Sequence, residues 1–182
     1  MPDPQPGSVY ELSHEEEAEN LATFAVLVDN EPGVLHRLVG LFAARGYNIE
    51  SLTVGETDRR AHTSRVTIVT RGTPHVLSQI QAQLEKMVSV RHVRDVSRDP
   101  FGLERELALV KVKSTGADRV EALRVSDIFR ARVIDTTHES FVFEVSGAPS
   151  KIDAFVELMR PLGLVELSRT GVLSITRGAE AM

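Results

Sequence analysis

Apolar and polar residues change period several times along this chain, and each change marks an element. Phe24–Val28 is a continuous apolar run, the mark of a buried strand. Across Gly33–Arg45 the residues Leu35, Leu38, Val39 and Phe42 recur at helical spacing, and Gly46 is a helix stop. Two strand-like runs follow, Ile49–Glu56 and Thr63–Thr70. The polar stretch Thr57-Asp58-Arg59-Arg60-Ala61-His62 between them predicts a hairpin. A second helix opens with Thr73 as N-cap and Pro74 at its first position, and sets Val76, Leu77, Ile80 and Leu84 on one face. Val88–Val96 reads as a closing strand.

Strand, helix, strand, strand, helix, strand is the ferredoxin-like split plan, an α+β architecture with an antiparallel sheet and both helices on one face. The order recurs beyond Pro100-Phe101-Gly102. Leu107–Val112 is a strand, Val120–Phe129 a helix, Ala131–Thr136 and Ser140–Val145 strands, Ile152–Arg160 a helix, and strands follow Leu164. We read two tandem ferredoxin-like βαββαβ units, residues 22–98 and 105–178, joined by a linker at 99–104. A flexible acidic arm (1–21) precedes them and a short tail (179–182) follows.

The 182 residues are 42% hydrophobic and 26% charged, enough to bury two small cores. The absence of cysteine excludes disulfides, thiolate metal sites and cysteine nucleophiles. Residues 1–6 lack the basic start and apolar middle of a signal peptide, and no run of roughly 18 apolar residues occurs, so a cytoplasmic, non-membrane protein is expected. The net charge of −5 is concentrated at one end: Asp3, Glu11, Glu15, Glu16, Glu17 and Glu19 precede Leu21 without a Lys or Arg, leaving a nearly neutral body. Such a body has little electrostatic attraction to nucleic acid. With aromatics at 5% and no Phe/Tyr-rich central strand, RNA stacking on the sheet is not expected either. Arg91, Arg94 and Arg98 are read as a solvated strand edge, with contact to an acidic partner as the alternative.

The six histidines are scattered without metal spacing, and Ser51, Ser64 and Ser140 lack a nucleophile elbow. We therefore expect neither a metal site nor catalytic residues. The informative chemistry lies at Asn30-Glu31-Pro32-Gly33. Pro32 fixes one φ and Gly33 removes a side chain, so the N–H groups of Gly33 and Val34 at a helix start are expected to lie open to a carboxylate. The helix dipole adds about 0.3–1 kcal/mol near a surface. The amides of Asn30 and Asn48 can each accept from an ammonium or donate to a carboxylate, and Val34, Leu35 and Ile49 are candidates for an apolar wall. The plainer alternatives are a mere strand-to-helix connection and, for Asn48, a turn residue at positive φ. The second unit has Ser114-Thr115-Gly116-Ala117-Asp118 at the equivalent place. It lacks the asparagine, and no equivalent ligand site is expected there.

These stretches resemble one family. Asp29-Asn30-Glu31-Pro32-Gly33-Val34-Leu35, Arg45-Gly46-Tyr47-Asn48-Ile49-Glu50-Ser51-Leu52-Thr53-Val54, Ser64-Arg65-Val66-Thr67-Ile68, Glu104–Val112 and Phe129–Asp135 are similar to the small regulatory subunits of acetohydroxyacid (acetolactate) synthase. In that family the N-terminal half is an ACT domain that senses valine. The resemblance covers roughly residues 22–178; the acidic arm matches nothing in its pattern. It implies a non-catalytic chain that binds a catalytic large subunit, raises its activity and confers feedback inhibition by a branched-chain amino acid. The effector is valine, with leucine and isoleucine as alternatives. It also implies a homodimer through the ACT domain, with Asn30 and Asn48 of different protomers meeting the ligand. No cofactor is expected on this chain; thiamine diphosphate, Mg2+ and FAD belong to the catalytic partner. The competing readings are an ACT-type sensor of another enzyme or transcription factor, and an enzyme in its own right.

Overall fold

The computed structural model describes residues 18–179. The first unit comprises β1 (Asn20–Asp29), α1 (Val34–Ala44), β2 (Ser51–Asp58), β3 (Thr63–Gly72), α2 (Pro74–Glu85) and β4 (Val90–Asp95). The second comprises β5 (Gly102–Lys113), α3 (Gly116–Phe129), β6 (Arg132–Thr136), β7 (Ser140–Gly147), α4 (Pro149–Met159), β8 (Leu164–Arg169) and β9 (Leu173–Thr176). Both sheets are antiparallel, ordered β2-β3-β1-β4 and β6-β7-β5-β8, and β9 pairs with the start of β5. Two ferredoxin-like α+β units in tandem are what the element order predicts.

Strand alternation builds each core. Ala22, Phe24, Val26 and Val28 of β1 and Val66 and Ile68 of β3 face Leu38 and Phe42 of α1 and Leu77, Ile80 and Leu84 of α2. Thr73 caps α2, its hydroxyl accepting from the Val76 N–H at 3.4 Å, and Pro74 stands at the first helical position. In the second unit Phe143 meets Phe155 edge to face at 6.1 Å, within a core that adds Val110, Val112 and Ile152.

Two boundaries differ from expectation. Asn20 and Leu21 belong to β1, paired with Gly72 and Arg71, because β3 is long enough to register them. Residues 1–17 of the expected arm, and 180–182 of the expected tail, lie outside the described residues. The expected linker is shortened: Gly102, Leu103 and Glu104 are the first residues of β5, paired with Thr176, Ile175 and Ser174. Their strand partner comes from the far end of the chain, where no local pattern announces it. Gly102 is required at this bend, since a Cβ would stand 2.4 Å from the Val96 carbonyl oxygen.

The helix-free face of the first sheet is covered. Thr23, Ala25, Thr67 and Val69 are buried there, beside the buried Val172 that leads into β9. Arg65 Nη1 donates to the Ser174 carbonyl at 3.1 Å and Arg94 Nη1 to the Thr176 hydroxyl at 3.3 Å. Arg94 thus joins the two units. Arg91 pairs with Asp29 at 2.6 Å and Arg98 with Asp95 at 3.1 Å along the β4 edge.

The helix-free face of the second sheet carries the ion pairs Lys111–Glu166 and Arg132–Glu144 beside the exposed Leu109. The Lys111 ammonium, first by its hydrogen bond and then by its charge, holds the Glu166 carboxyl below the usual range. The pair's contribution is therefore present above the ordinary carboxylate range and fades as acid protonates Glu166. Lys111→Met should return Glu166 to ordinary titration, read by carboxyl NMR across an acid series; an unchanged midpoint would assign the shift to another group.

Candidate functional site

The turn after β1 is tied down on three sides. Asn30 N–H donates to the His62 carbonyl at 2.7 Å, Asp29 N–H to Ser89 at 2.9 Å, and Glu31 N–H back to Asp29 at 3.0 Å. Gly33 then caps α1 with φ +83°, a left-handed conformation in which glycine carries no steric cost, and no side chain caps the helix. Val34 is not open in the way expected. Its N–H turns back to the Glu31 carbonyl at 3.2 Å, and its side chain is buried in the core. Among the described residues the N–H groups of Gly33, Leu35 and His36 take no part in the turn's hydrogen bonds, which leaves donors around an exposed glycine.

Three residues that sequence reasoning missed organise this turn. The Glu31 carboxylate accepts from Arg37 Nη2 at 2.5 Å and from the Ser89 hydroxyl at 2.6 Å, and Arg37 Nη2 also lies 2.7 Å from that hydroxyl. A Cβ on Gly33 would stand 3.7 Å from Arg37 Nη1, so the guanidinium borders the glycine. A cation in the first turn opposes the helix dipole. That misfit was the available signal: the Glu31 carboxylate pairs with Arg37 there, and the guanidinium's Nη1 side faces the glycine beside the free N–H groups.

Asn48 lies in the link before β2 and is exposed. Its carbonyl accepts from the Thr70 hydroxyl at 2.6 Å and its Nδ2 donates to Glu50 at 3.2 Å. It does not take positive φ; among the described residues the non-glycine residues that do are His62 and Arg130. Ile49 and Tyr47 pack partly against the core, Tyr47 edge-on to Phe42 at 6.2 Å, while Leu35 is exposed.

Asn30 and Asn48 are not brought together within one chain. Asn30 sits beyond Thr63 at one end of β3, and Asn48 beside Thr70 at the other. Seven residues of strand separate them by about 23 Å at roughly 3.3 Å per residue. β2, which follows Asn48, is an edge strand with one neighbour. A second copy laid antiparallel along that edge would bring its own Asp58 end, the end that carries its Asn30 turn, toward Asn48. α2 lies over β4 and β1, which leaves α1 on the β2 side, where Leu35, Val39 and Val54 are exposed. In the second unit the corresponding place is occupied differently: Arg119 of α3 donates to the Thr137 carbonyl at 2.8 Å and stacks on Phe141 at 3.8 Å.

No helix among the described residues is long and apolar enough to cross a membrane. Residues 24–92 match the family model described as AHAS small subunit-like ACT domain, and residues 105–178 the one described as small subunit of acetolactate synthase. The chain is 46% identical over 156 residues to a probable acetolactate synthase small subunit of Archaeoglobus fulgidus, covering 86% of this chain and 96% of that one. It is 43% identical over 159 residues to the acetolactate synthase isozyme 3 small subunit of Escherichia coli, covering 87% and 96%. The crystal structure of the acetolactate synthase small subunit from Thermotoga maritima matches with a TM-score of 0.78 at 36% identity, over 88% of this chain and 99% of that one.

Proposed function

Because this chain belongs to the family of acetolactate synthase small subunits, the regulatory and non-catalytic part of that enzyme, we propose that it activates a catalytic large subunit in the cytoplasm and makes it responsive to valine. The valine lies between two copies of the ACT domain. Its carboxylate is received by the free N–H groups around Gly33, with Arg37 adding positive charge, and Asn30 of the same copy completes that half. Asn48 of the other copy meets the ammonium or the carboxylate, and Ile49 and Leu35 line the side-chain pocket. Thiamine diphosphate, Mg2+ and FAD, and the joining of two pyruvates, belong to the partner.

The observation that carries this reading is the separation of the two asparagine motifs at opposite ends of one sheet, beside an edge strand with one neighbour. Each chain holds two half-sites, and a two-fold pair makes them whole. Occupancy then favours one arrangement of the pair, and the synthase responds by no more than valine's differential affinity for that arrangement, about 1.4 kcal/mol for each tenfold change. Calorimetric titration of the chain with valine, leucine and isoleucine, with and without the synthase, tests this. Uptake of one valine-sized ligand per ACT domain is expected, and no saturable heat with any of the three would end the proposal. Asn30→Ala and Asn48→Ala should each weaken binding by roughly 1–3 kcal/mol, the scale of a lost polar contact. A mixed dimer carrying Asn30→Ala on one chain and Asn48→Ala on the other should concentrate both losses in one site and keep the second intact, which calorimetry reads as half stoichiometry.

A further inference from the structure

We propose that the turn Thr170-Gly171-Val172, between β8 and β9, carries the state of the effector site from β2 into the C-terminal sheet; this rests on the valine reading above. β2 is the strand nearest the seam between copies, is held by one neighbour, and begins three residues after Asn48. A rearrangement at the seam therefore displaces β2 before the rest of its sheet. On the helix-free side, Ser51 and Thr53 project from β2 onto the turn. Val172 N–H donates to the Ser51 hydroxyl at 3.0 Å, and the Thr53 hydroxyl donates to the Thr170 carbonyl at a long 3.5 Å.

Gly171 sits between these two hydroxyls with φ +82°. A single added carbon there would stand 2.6 Å from Ser51 Oγ and 2.8 Å from Thr53 Oγ1, inside van der Waals contact. The turn thus rests on β2 backbone to side chain with no slack. Its other side is fixed to β5, the central strand of the second sheet: Thr170 N–H donates to the Leu107 carbonyl at 3.0 Å, and Leu107 N–H to the Thr170 hydroxyl at 3.1 Å. The preceding Arg169 holds Glu106 of the same strand. From Asn48 to β5 the path is short and continuous. Among the described residues the other side-chain hydrogen bonds between the units, Arg65 to Ser174 and Arg94 to Thr176, start from β3 and β4, which carry neither motif. A cleft of about 500 Å³ bordered by Glu50, Arg71, Asp153 and Arg169 flanks the turn and leaves room for β2 to move against the second unit. Movement is transmitted where the contact is tight and absorbed where the cleft is open.

The test uses the full chain reconstituted with its synthase. Gly171→Ala lifts the turn from β2. Its valine Kd, by calorimetry, should stay within threefold of the native value, and activation without valine should be unchanged. The activity surviving at saturating valine should rise at least twofold toward the uninhibited rate. Ser51→Ala, which adds no atoms, should shift the same two readouts in the same directions and decides the matter alone if Gly171→Ala does not fold. Native inhibition together with native Kd in Ser51→Ala overturns the coupling. So does a tenfold or greater loss of affinity that accounts for the lost inhibition, since the turn would then support the pocket. A native chain that takes up no valine overturns the site reading, and the coupling with it.

Discussion

Gly33→Asp should abolish valine binding while the synthase is still activated. The substitution places a carboxylate where the ligand's own carboxylate is to lie, and two unit charges about 4 Å apart at an effective dielectric near 20 repel by roughly 4 kcal/mol. The left-handed conformation at φ +83° adds strain that glycine does not have, roughly 1–2 kcal/mol for an L residue. Arg37, 3.7 Å from the new Cβ, offsets part of the repulsion by pairing with the aspartate, and in doing so withdraws its charge from the ligand. The net expectation is at least a hundredfold rise in Kd. Gly33 is exposed and no backbone packs against it, so the fold and the distant second unit should be untouched. Gly33→Ala separates the terms: it keeps the strain and drops the charge, and should fall between native and Gly33→Asp. A Kd for Gly33→Asp within threefold of native would remove the helix start from the site.

The largest loss of stability should come from Arg169→Met. The Arg169 guanidinium donates from Nε at 2.7 Å and from Nη2 at 2.5 Å to the two oxygens of Glu106, and from Nη1 at 2.7 Å to Asp153. Its hydrogen bond with Glu106, followed by that with Asp153, holds it firmly in the charged form against partial burial. The Glu106 side chain is 3% exposed, whereas that of Arg169 is 34% exposed. Removing the arginine therefore strands a buried carboxylate, which costs about 3 kcal/mol once the partial exposure of its partner is allowed for. For a chain of this size that is a fall in melting temperature of roughly 6–12 °C. Glu106→Gln combined with Arg169→Met should recover part of it, because the stranded charge is gone. Calorimetric melting of the three variants checks the expectation; a single variant melting within 2 °C of native would show the pair to be dispensable.

The element order was legible because each element advertises itself locally. Continuous apolar and strand-like runs marked the strands, the Leu35-Leu38-Phe42 and Leu77-Ile80-Leu84 spacings marked the helices, and Thr73-Pro74 marked a start that the structure caps as expected. The start of β5 was not legible. Gly102–Glu104 follow a proline, and their partner is β9, some seventy residues away, so the hydrogen bonds that make them a strand leave no trace nearby. Arg94 shows the same limit: as a residue it reads like its neighbours Arg91 and Arg98, yet it alone reaches Thr176 across the units.

At the candidate site the residue types were readable and their geometry was not. Asn30, Gly33 and Asn48 stand out by type and spacing. The turning back of the Val34 N–H onto Glu31 is a matter of local backbone angles that residue types do not spell out, and the Glu31–Arg37–Ser89 cluster depends on a loop after α2 that lies far off in sequence.

From its order of residues alone this protein had its two α+β units, its lack of thiol chemistry, and a glycine turn suited to a small anion, because propensity, periodicity and side-chain chemistry act over a few residues. Tertiary structure decided that the two asparagine motifs stand at opposite ends of one sheet, that β2 is an edge strand with one neighbour, and that Gly171 seats the second unit on that strand. Those are distances between residues remote along the chain, and they are set only when the sheets register and pack.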